Sequence, residues 1–135
     1  MARILIVDDD PTVRTIAREL LHGSGHELFE AGDGDEALIL AATLPIDLIV
    51  LDMLMPNKDG IETIQAVKRD HRETRILAIS SGGRLDGTTL LNLAKAFGAD
   101  ATMLKPLRLA TFAGVVEGLL AREATLSPMA ILRSA

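Results

Sequence analysis

The sequence predicts an α/β fold: a doubly wound, five-stranded parallel sheet with helices on both faces. Two observations predict it. Short apolar runs rich in β-branched residues alternate five times with segments whose apolar residues recur at helical spacing. The links between them are short, are marked by Gly, Pro, Asp or Ser, and leave no room for an internal linker. Strict β-α alternation is satisfied by a parallel sheet whose crossover helices cover both faces.

Arg3-Ile4-Leu5-Ile6-Val7 is the first expected strand, ended abruptly by Asp8-Asp9-Asp10-Pro11. Pro11 suits a first helical turn, where its missing N–H costs nothing, and Asp10 ahead of it is a natural N-cap. Val13, Ile16, Ala17, Leu20 and Leu21 make one apolar helical face, stopped by Gly23 and Gly25. His26 to Ala31 is a weaker second strand, and Gly32-Asp33-Gly34 is a turn. Glu36 to Leu44 reads as the second helix. It ends before Pro45, because a residue preceding proline is driven out of the α region. Leu48 to Leu51 is the third strand, closed by one carboxylate, Asp52. A loop follows through Met53-Leu54-Met55-Pro56 and turns at Asp59-Gly60. Ile61, Ile64, Val67 and Lys68 mark the third helix, with a charged end from Lys68 to Arg75. Arg75 to Ser80 is the fourth strand, and Ser81-Gly82-Gly83-Arg84 is a glycine-rich loop. Leu90, Leu91, Leu93, Ala94 and Phe97 form the fourth helix, stopped at Gly98. Ala101 to Leu104 is the fifth strand, then Lys105-Pro106, and Leu109 to Arg122 is the fifth helix. Residues 1–123 read as one domain and 124–135 as a short tail.

Composition narrows the function. A chain of 135 residues, 48% apolar, is long enough for one domain with a sizeable core. It has no Cys, which excludes a disulfide framework, a thiolate nucleophile and a Cys-based zinc site. A net charge of -5 argues against direct nucleic-acid binding. Ile4 to Val7 is far too short for a signal-peptide core, and no apolar run approaches the length of a membrane span. The expectation is a cytoplasmic protein with no membrane partner.

The residues that interrupt the pattern stand at equivalent places. Asp8 and Asp9 follow the first strand, Asp52 the third, Ser80 the fourth and Lys105 the fifth. Singly, each has a plain explanation as a cap, a turn residue or a solvated lysine. Together, at the ends of four strands, they make a constellation. If the strand order is 2-1-3-4-5, the first and third strands are neighbours and their carboxyl ends flank the switch-point crevice. Three nearby carboxylates require a counter-charge. A divalent cation supplies it, and oxygen-only ligands favour Mg²⁺. With a lysine and a hydroxyl beside the metal, such a site can hold a phosphoryl group in transfer. A carboxylate is a suitable nucleophile for taking one.

These residues also carry a family resemblance. Ile6-Val7-Asp8-Asp9-Asp10-Pro11, Leu51 to Pro56 with Asp59-Gly60, Ile79-Ser80-Ser81, and Gly98-Ala99-Asp100 leading to Leu104-Lys105-Pro106 resemble a bacterial two-component response-regulator receiver domain, similar to the single-domain chemotaxis regulator. The resemblance covers residues 3 to about 122. It implies a flavodoxin-like fold. The 2-1-3-4-5 order is that of the chemotaxis regulator itself, so it comes with the resemblance rather than from the residue pattern. The resemblance implies that Asp52 is the phospho-acceptor, served by a histidine kinase or phosphotransfer protein. It makes Asp9 a direct Mg²⁺ ligand together with Asp52 and the backbone carbonyl of Leu54, with Asp8 acting through water. Ser80 would bond one phosphoryl oxygen and Lys105 another, and the Lys105-Pro106 bond would be cis. The expected protein is a stand-alone receiver that catalyses its own phosphotransfer and slow dephosphorylation, is not a metabolic enzyme, and switches its binding to a downstream protein.

Three positions differ from what the family often carries. Tyr or Phe often stands three residues before the lysine as an aromatic switch, and here the residue is Thr102. The switch is therefore expected to work through the loop from Ser81 to Asp86 and the start of the fourth helix. Polar residues often stand two beyond the acceptor and two beyond the switch hydroxyl. Here they are Leu54 and Gly82, neither of which can orient a water, so slow hydrolysis is expected.

The rival reading is an enzyme. Asp8-Asp9-Asp10-Pro11-Thr12 also resembles the Asp-x-Asp-x-Thr motif of haloacid-dehalogenase-type Mg²⁺-dependent phosphatases. Asp8 would then be the nucleophile, Asp10 the acid/base and Lys105 the charge clamp. The acids beyond Lys105 are Glu117, inside the fifth helix, and Glu123, at its end, so the later acidic motif is missing and Asp52 has no role.

Overall fold

Five strands and five helices alternate along the chain in the computed structural model, which describes residues 1–55, 60–81 and 87–124, with backbone alone for 87, 88 and 122–124. The elements are β1 Arg3–Val7, α1 Pro11–Leu20, β2 Glu27–Ala31, α2 Gly34–Thr43, β3 Leu48–Asp52, α3 Gly60–Asp70, β4 Arg75–Ser81, α4 Gly87–Ala96, β5 Ala101–Lys105 and α5 Leu109–Ala124. All strand pairs are parallel, in the order β2-β1-β3-β4-β5. The doubly wound fold class and its strand order are those expected.

Successive side chains of a strand point to opposite faces, so each central strand feeds two cores. Leu5, Val7, Ile49, Leu51, Ile76 and Ala78 pack against Ala37 of α2, Ile64 and Val67 of α3, and Leu91 and Ala94 of α4. Ile4, Ile6, Leu48, Val50, Leu77 and Ile79 pack against Ala17 of α1 and Phe112, Val116 and Leu119 of α5. Burial on both faces is why β1 and β3 read as unbroken apolar runs rather than alternating ones.

Several boundaries differ from the sequence reading, each for a local reason. α2 begins at Gly34, two residues before Glu36, because Asp33 caps it. The Glu36 N–H donates to Asp33 Oδ1 at 2.9 Å, and the Gly32 N–H donates to Glu36 Oε2 at 2.9 Å. The two bonds resemble a capping box, with the Glu36 side chain reaching back to the residue before the N-cap, and the turn reading of Gly32-Asp33-Gly34 overlooked them. His26 stands outside β2: its Nδ1 accepts from the Ala2 N–H at 2.9 Å and its Nε2 lies 2.8 Å from Glu117 Oε2. Asp52 and Lys105 are the last residues of their strands rather than the first beyond them. β4 runs one residue past Ser80, because Ser81 pairs with Lys105. Gly60 opens α3 instead of closing a turn. A Cβ there would lie 2.7 Å from Met53 Cα, so the helix start packs directly on the loop that leaves β3. α5 extends to Ala124, two residues past the expected end and into the expected tail. The Pro56 and Asp59 part of the β3–α3 loop, the glycine-rich loop with Gly82, Gly83 and Arg84, and residues 125–135 lie outside the described residues.

The register levels the strand ends. Val7 pairs with Leu51, Asp52 with Ile79, and Ser81 with Lys105. The residues at the carboxyl ends of β1, β3, β4 and β5 therefore share one rim of the sheet.

Candidate functional site

Asp8 is fully buried at the end of β1. Its Oδ1 accepts from the Asp10 N–H at 2.9 Å, which draws the chain into the α1 cap. Its Oδ2 lies 2.8 Å from Lys105 Nζ as an ion pair, and among the described residues that oxygen has no hydrogen-bond partner. Lys105 Nζ also lies 3.6 Å from Asp52 Oδ1. Asp52 is only 4% exposed. The Leu54 N–H makes a long contact of 3.4 Å to Asp52 Oδ1, while the Leu54 side chain is 55% exposed. Asp9 is exposed, yet a carboxylate oxygen from each of Asp8, Asp9 and Asp52 lies within 4.8 Å of the others. Ser80 is buried, and among the described residues its hydroxyl makes a 3.4 Å contact to the Ser81 carbonyl. It stands one residue beyond Ile79, the ladder partner of Asp52. Thr102 pairs with Ala78, further down β5 from the rim. The Lys105-Pro106 bond is cis.

The electrostatics follow from this packing. Burial, and next the charge of Asp8, push the Asp52 carboxyl from its usual 3.8 up to about 6, against the opposing pull of Lys105 and the Leu54 N–H. Asp9 adds a smaller push in the same direction. Burial pulls the Lys105 ammonium down, but the Asp8 and Asp52 carboxylates more than reverse it and hold its pKa above the ordinary lysine value. Among the described residues three carboxylates face one ammonium, so the fully ionised cluster has an excess of negative charge that is partly out of water, and the buried Asp8 Oδ2 has no hydrogen-bond partner. An all-oxygen donor set with that charge fits a hard divalent cation such as Mg²⁺.

Asp8, Asp9, Asp52 and Lys105 thus converge, with Ser80 on the same rim. Two supporting residues escaped the sequence reading. Gly60 was read as a turn glycine, whereas it presses on Met53, next to Asp52. Arg14 was not singled out in the sequence, whereas its Nη1 donates to the Asp8 carbonyl at 2.6 Å. Its one legible signal was its position, a single helical turn after the Asp10 cap.

The fold and this carboxylate–lysine rim define a class: a doubly wound α/β domain with an acidic cation site at its switch point. Residues 4–117 match the response regulator receiver domain, and the chain belongs to that family. It is 39% identical over 106 residues to the transcriptional regulatory protein CpxR of Escherichia coli (strain K12), an alignment spanning 78% of this chain and 44% of CpxR. It is 33% identical over 104 residues to sporulation initiation phosphotransferase F of Bacillus subtilis (strain 168), spanning 77% of this chain and 82% of that protein. The Francisella response regulator 1452 receiver domain matches with a TM-score of 0.79 and 28% identity, over 90% of this chain and 98% of that one. The chain therefore spans less than half the length of CpxR and most of phosphotransferase F.

Receiver domains belong to two-component signalling, where they meet histidine kinases or phosphotransfer proteins and bind Mg²⁺ at an acidic pocket. They are signalling domains rather than metabolic enzymes. The phosphatase reading with Asp8 as nucleophile is not favoured by this membership. It also requires attack by an oxygen that is wholly buried or already committed to the Asp10 cap. Among the described residues no helix is long and apolar enough to cross a membrane.

Proposed function

We propose that this receiver accepts a phosphoryl group on Asp52 from the phosphohistidine of a histidine kinase or phosphotransfer protein, and that the new charge changes which protein it binds. The observation that carries the reading is the burial of Asp52 at the end of β3, with Lys105 Nζ 3.6 Å from Oδ1 and the Asp8 and Asp9 carboxylates clustered beside it. An Asp52 oxygen forms the O–P bond as the donor's N–P bond breaks, and the released imidazole takes a proton from solvent. Asp9, Asp52 and the Leu54 carbonyl would hold Mg²⁺ directly and Asp8 through water. The metal supplies charge neutralisation at the phosphoryl oxygens.

The chain's own residues do the rest. Lys105 already spans Asp8 and Asp52, so it is placed to meet a phosphoryl oxygen with little reorganisation. Among the described residues the contact that the Ser80 hydroxyl gives up, when it turns to donate to another oxygen, is a long one of 3.4 Å. A hydrogen bond to an ionised acceptor is stronger than the neutral one it replaces. A largely apolar groove lined by Val13, Ile16, Ser81, Lys105, Pro106 and Leu107 opens beside the lysine and offers the donor protein a surface. Leu54 cannot orient a water, so the acyl phosphate is long-lived. The reading places the protein in the cytoplasm, and it concerns the receiver alone, whether or not an output domain is attached.

The test is phosphotransfer from the purified histidine kinases of the source organism, each autophosphorylated with labelled ATP. At least one should label the wild-type chain and leave Asp52→Asn unlabelled. Equal labelling of the variant would overturn the proposal.

A further inference from the structure

Arg14 takes no part in the chemistry above, yet it holds the backbone from which that chemistry hangs. It lies one turn into α1, where its N–H donates to the Asp10 carbonyl at 3.2 Å. Its side chain folds back past the helix start. Nη1 donates to the main-chain carbonyl of Asp8 at 2.6 Å, and Nε donates to Glu30 Oε1 at 3.0 Å. Glu30 is on the edge strand β2, and its other oxygen accepts from Arg18 Nε at 2.9 Å. Arg18 Nη2 in turn reaches the Leu28 carbonyl at 3.2 Å. The two arginines are four residues apart and so share one face of α1. The Arg18 hydrogen bond, with a further contribution from Arg14, holds the Glu30 carboxyl below its usual value despite partial burial. Charge-assisted bonds on both of its oxygens make Glu30 a firm anchor.

The Asp8 carbonyl belongs to the peptide that joins Asp8 to Asp9. β1 ends at Val7, and the last sheet-like bond is from the Asp8 N–H to the Ala31 carbonyl at 3.2 Å. Beyond that point the plane of the Asp8–Asp9 peptide sets where the exposed Asp9 side chain is aimed. Arg14 fixes the plane by its oxygen.

We propose that Arg14 is a positioning residue for the cation site: it orients the Asp8–Asp9 peptide that aims Asp9, and Glu30 holds Arg14 in place. The inference rests on the reading above in which Asp9 is a metal ligand. Mg²⁺ demands near-ideal octahedral geometry, so a small error in aim is costly. Outer partners of metal ligands typically govern ~10–100-fold in affinity. Lysine cannot replace the guanidinium, because a point charge does not bridge a carbonyl and a carboxylate as the planar fork does. A purely electrostatic role has the opposite sign. Arg14 is a cation near a cation site, and its removal would then tighten Mg²⁺ binding.

The experiment is a Mg²⁺ titration followed by amide chemical shifts, with a thermal melt for each protein. The proteins are wild type, Arg14→Gln, Arg14→Lys, Glu30→Gln and Arg18→Gln. Arg14→Gln should weaken Mg²⁺ roughly tenfold. Arg14→Lys should recover little of that loss, and Glu30→Gln should show a smaller loss with Arg14 still present. Arg18→Gln frees one Glu30 oxygen but leaves both Arg14 bonds in place, so it should cost less Mg²⁺ affinity than Glu30→Gln even where it lowers the melting temperature. If Arg14→Gln does not fold, Glu30→Gln decides the question. Unchanged or tighter binding in Arg14→Gln or Glu30→Gln overturns the proposal, as does an equal loss in Arg18→Gln, which would mean that only helix docking matters. A wild-type chain that binds no Mg²⁺ overturns the metal-site reading itself, whereas wild-type binding with unaffected Arg14 and Glu30 variants overturns only the role of Arg14.

Discussion

Replacing Asp52 by Asn should stabilise the metal-free protein at neutral pH, although Asp52 is the proposed working residue. Folding moves this carboxyl from 3.8 up to about 6, through burial first and the Asp8 charge second. The native state therefore binds the Asp52 proton more tightly than the unfolded chain does. The stability that this protonation contributes is fully present below about 3.8 and is lost as the pH rises through about 6. At pH 7 the ionised carboxylate costs about 3 kcal/mol relative to a neutral group of the same shape. In a domain of this size that corresponds to roughly 10 °C in melting temperature. The assay is thermal unfolding by circular dichroism in EDTA, for wild type and Asp52→Asn, at pH 7 and near pH 4. The variant should melt well above wild type at pH 7, and the gap should largely close near pH 4. Saturating Mg²⁺ should narrow the gap at pH 7 by raising the wild type. A variant no more stable than wild type at pH 7, or a gap that widens on acidification, would refute the reasoning.

Other outcomes follow from the same geometry. Gly60→Ala forces a Cβ to within 2.7 Å of Met53 Cα and Sδ, so the start of α3 and the loop after Asp52 must separate. Denaturant melts should show a loss of about 1–3 kcal/mol, and phosphorylation by a small-molecule donor should slow. Asp9→Ala removes one of the few carboxylates available to a cation, so Mg²⁺ should no longer raise its melting temperature. Its own stabilisation in EDTA should be smaller than that of Asp52→Asn, because Asp9 makes the smallest contribution to the Asp52 shift. Leu54→Asn places a polar group two residues past the acceptor and should shorten the lifetime of the phosphorylated form, read as the rate of phosphate release. An unchanged or longer lifetime would count against the role given to Leu54.

Much of this was legible because it is governed by short-range rules. Asp10-Pro11 announced the start of α1, and in the structure Asp10 Oδ1 does accept from the Thr12 N–H at 2.9 Å. The runs Ile4 to Val7 and Leu48 to Leu51 announced strands buried on both faces, which they are. Asp8, Asp9, Asp52, Ser80 and Lys105 were legible as a group because parallel strands all present their carboxyl ends on one rim. What was hidden depends on contacts between elements that are not neighbours in sequence. Glycine at position 60 looks like any turn glycine until Met53 is seen beneath it. Lys68 looked like part of a charged helix end, but its ammonium reaches the Thr74 carbonyl at 3.0 Å and Asp100 Oδ2 at 3.0 Å. That Asp100 oxygen also accepts from the Ile76 N–H at 2.8 Å, so the residues tie α3 to the start of β4. Arg14 was the costliest omission, since its partners Asp8 and Glu30 lie on two different strands. The early start of α2 was a different kind of miss, because the D-x-x-E spacing of Asp33 and Glu36 was visible and was passed over for a turn.

The central claim is that Asp52 is the acceptor and that the surrounding cluster exists to serve it. It is tested most directly by incubating the intact chain with acetyl phosphate and Mg²⁺, measuring its mass, and locating the modification by peptide mapping. The account predicts one base- and hydroxylamine-labile phosphoryl group on the peptide holding Asp52, absent in Asp52→Asn and absent from wild type in EDTA. A phosphoryl group that persists in Asp52→Asn, or that maps to Asp8 or Asp9 in the wild-type chain, would contradict it.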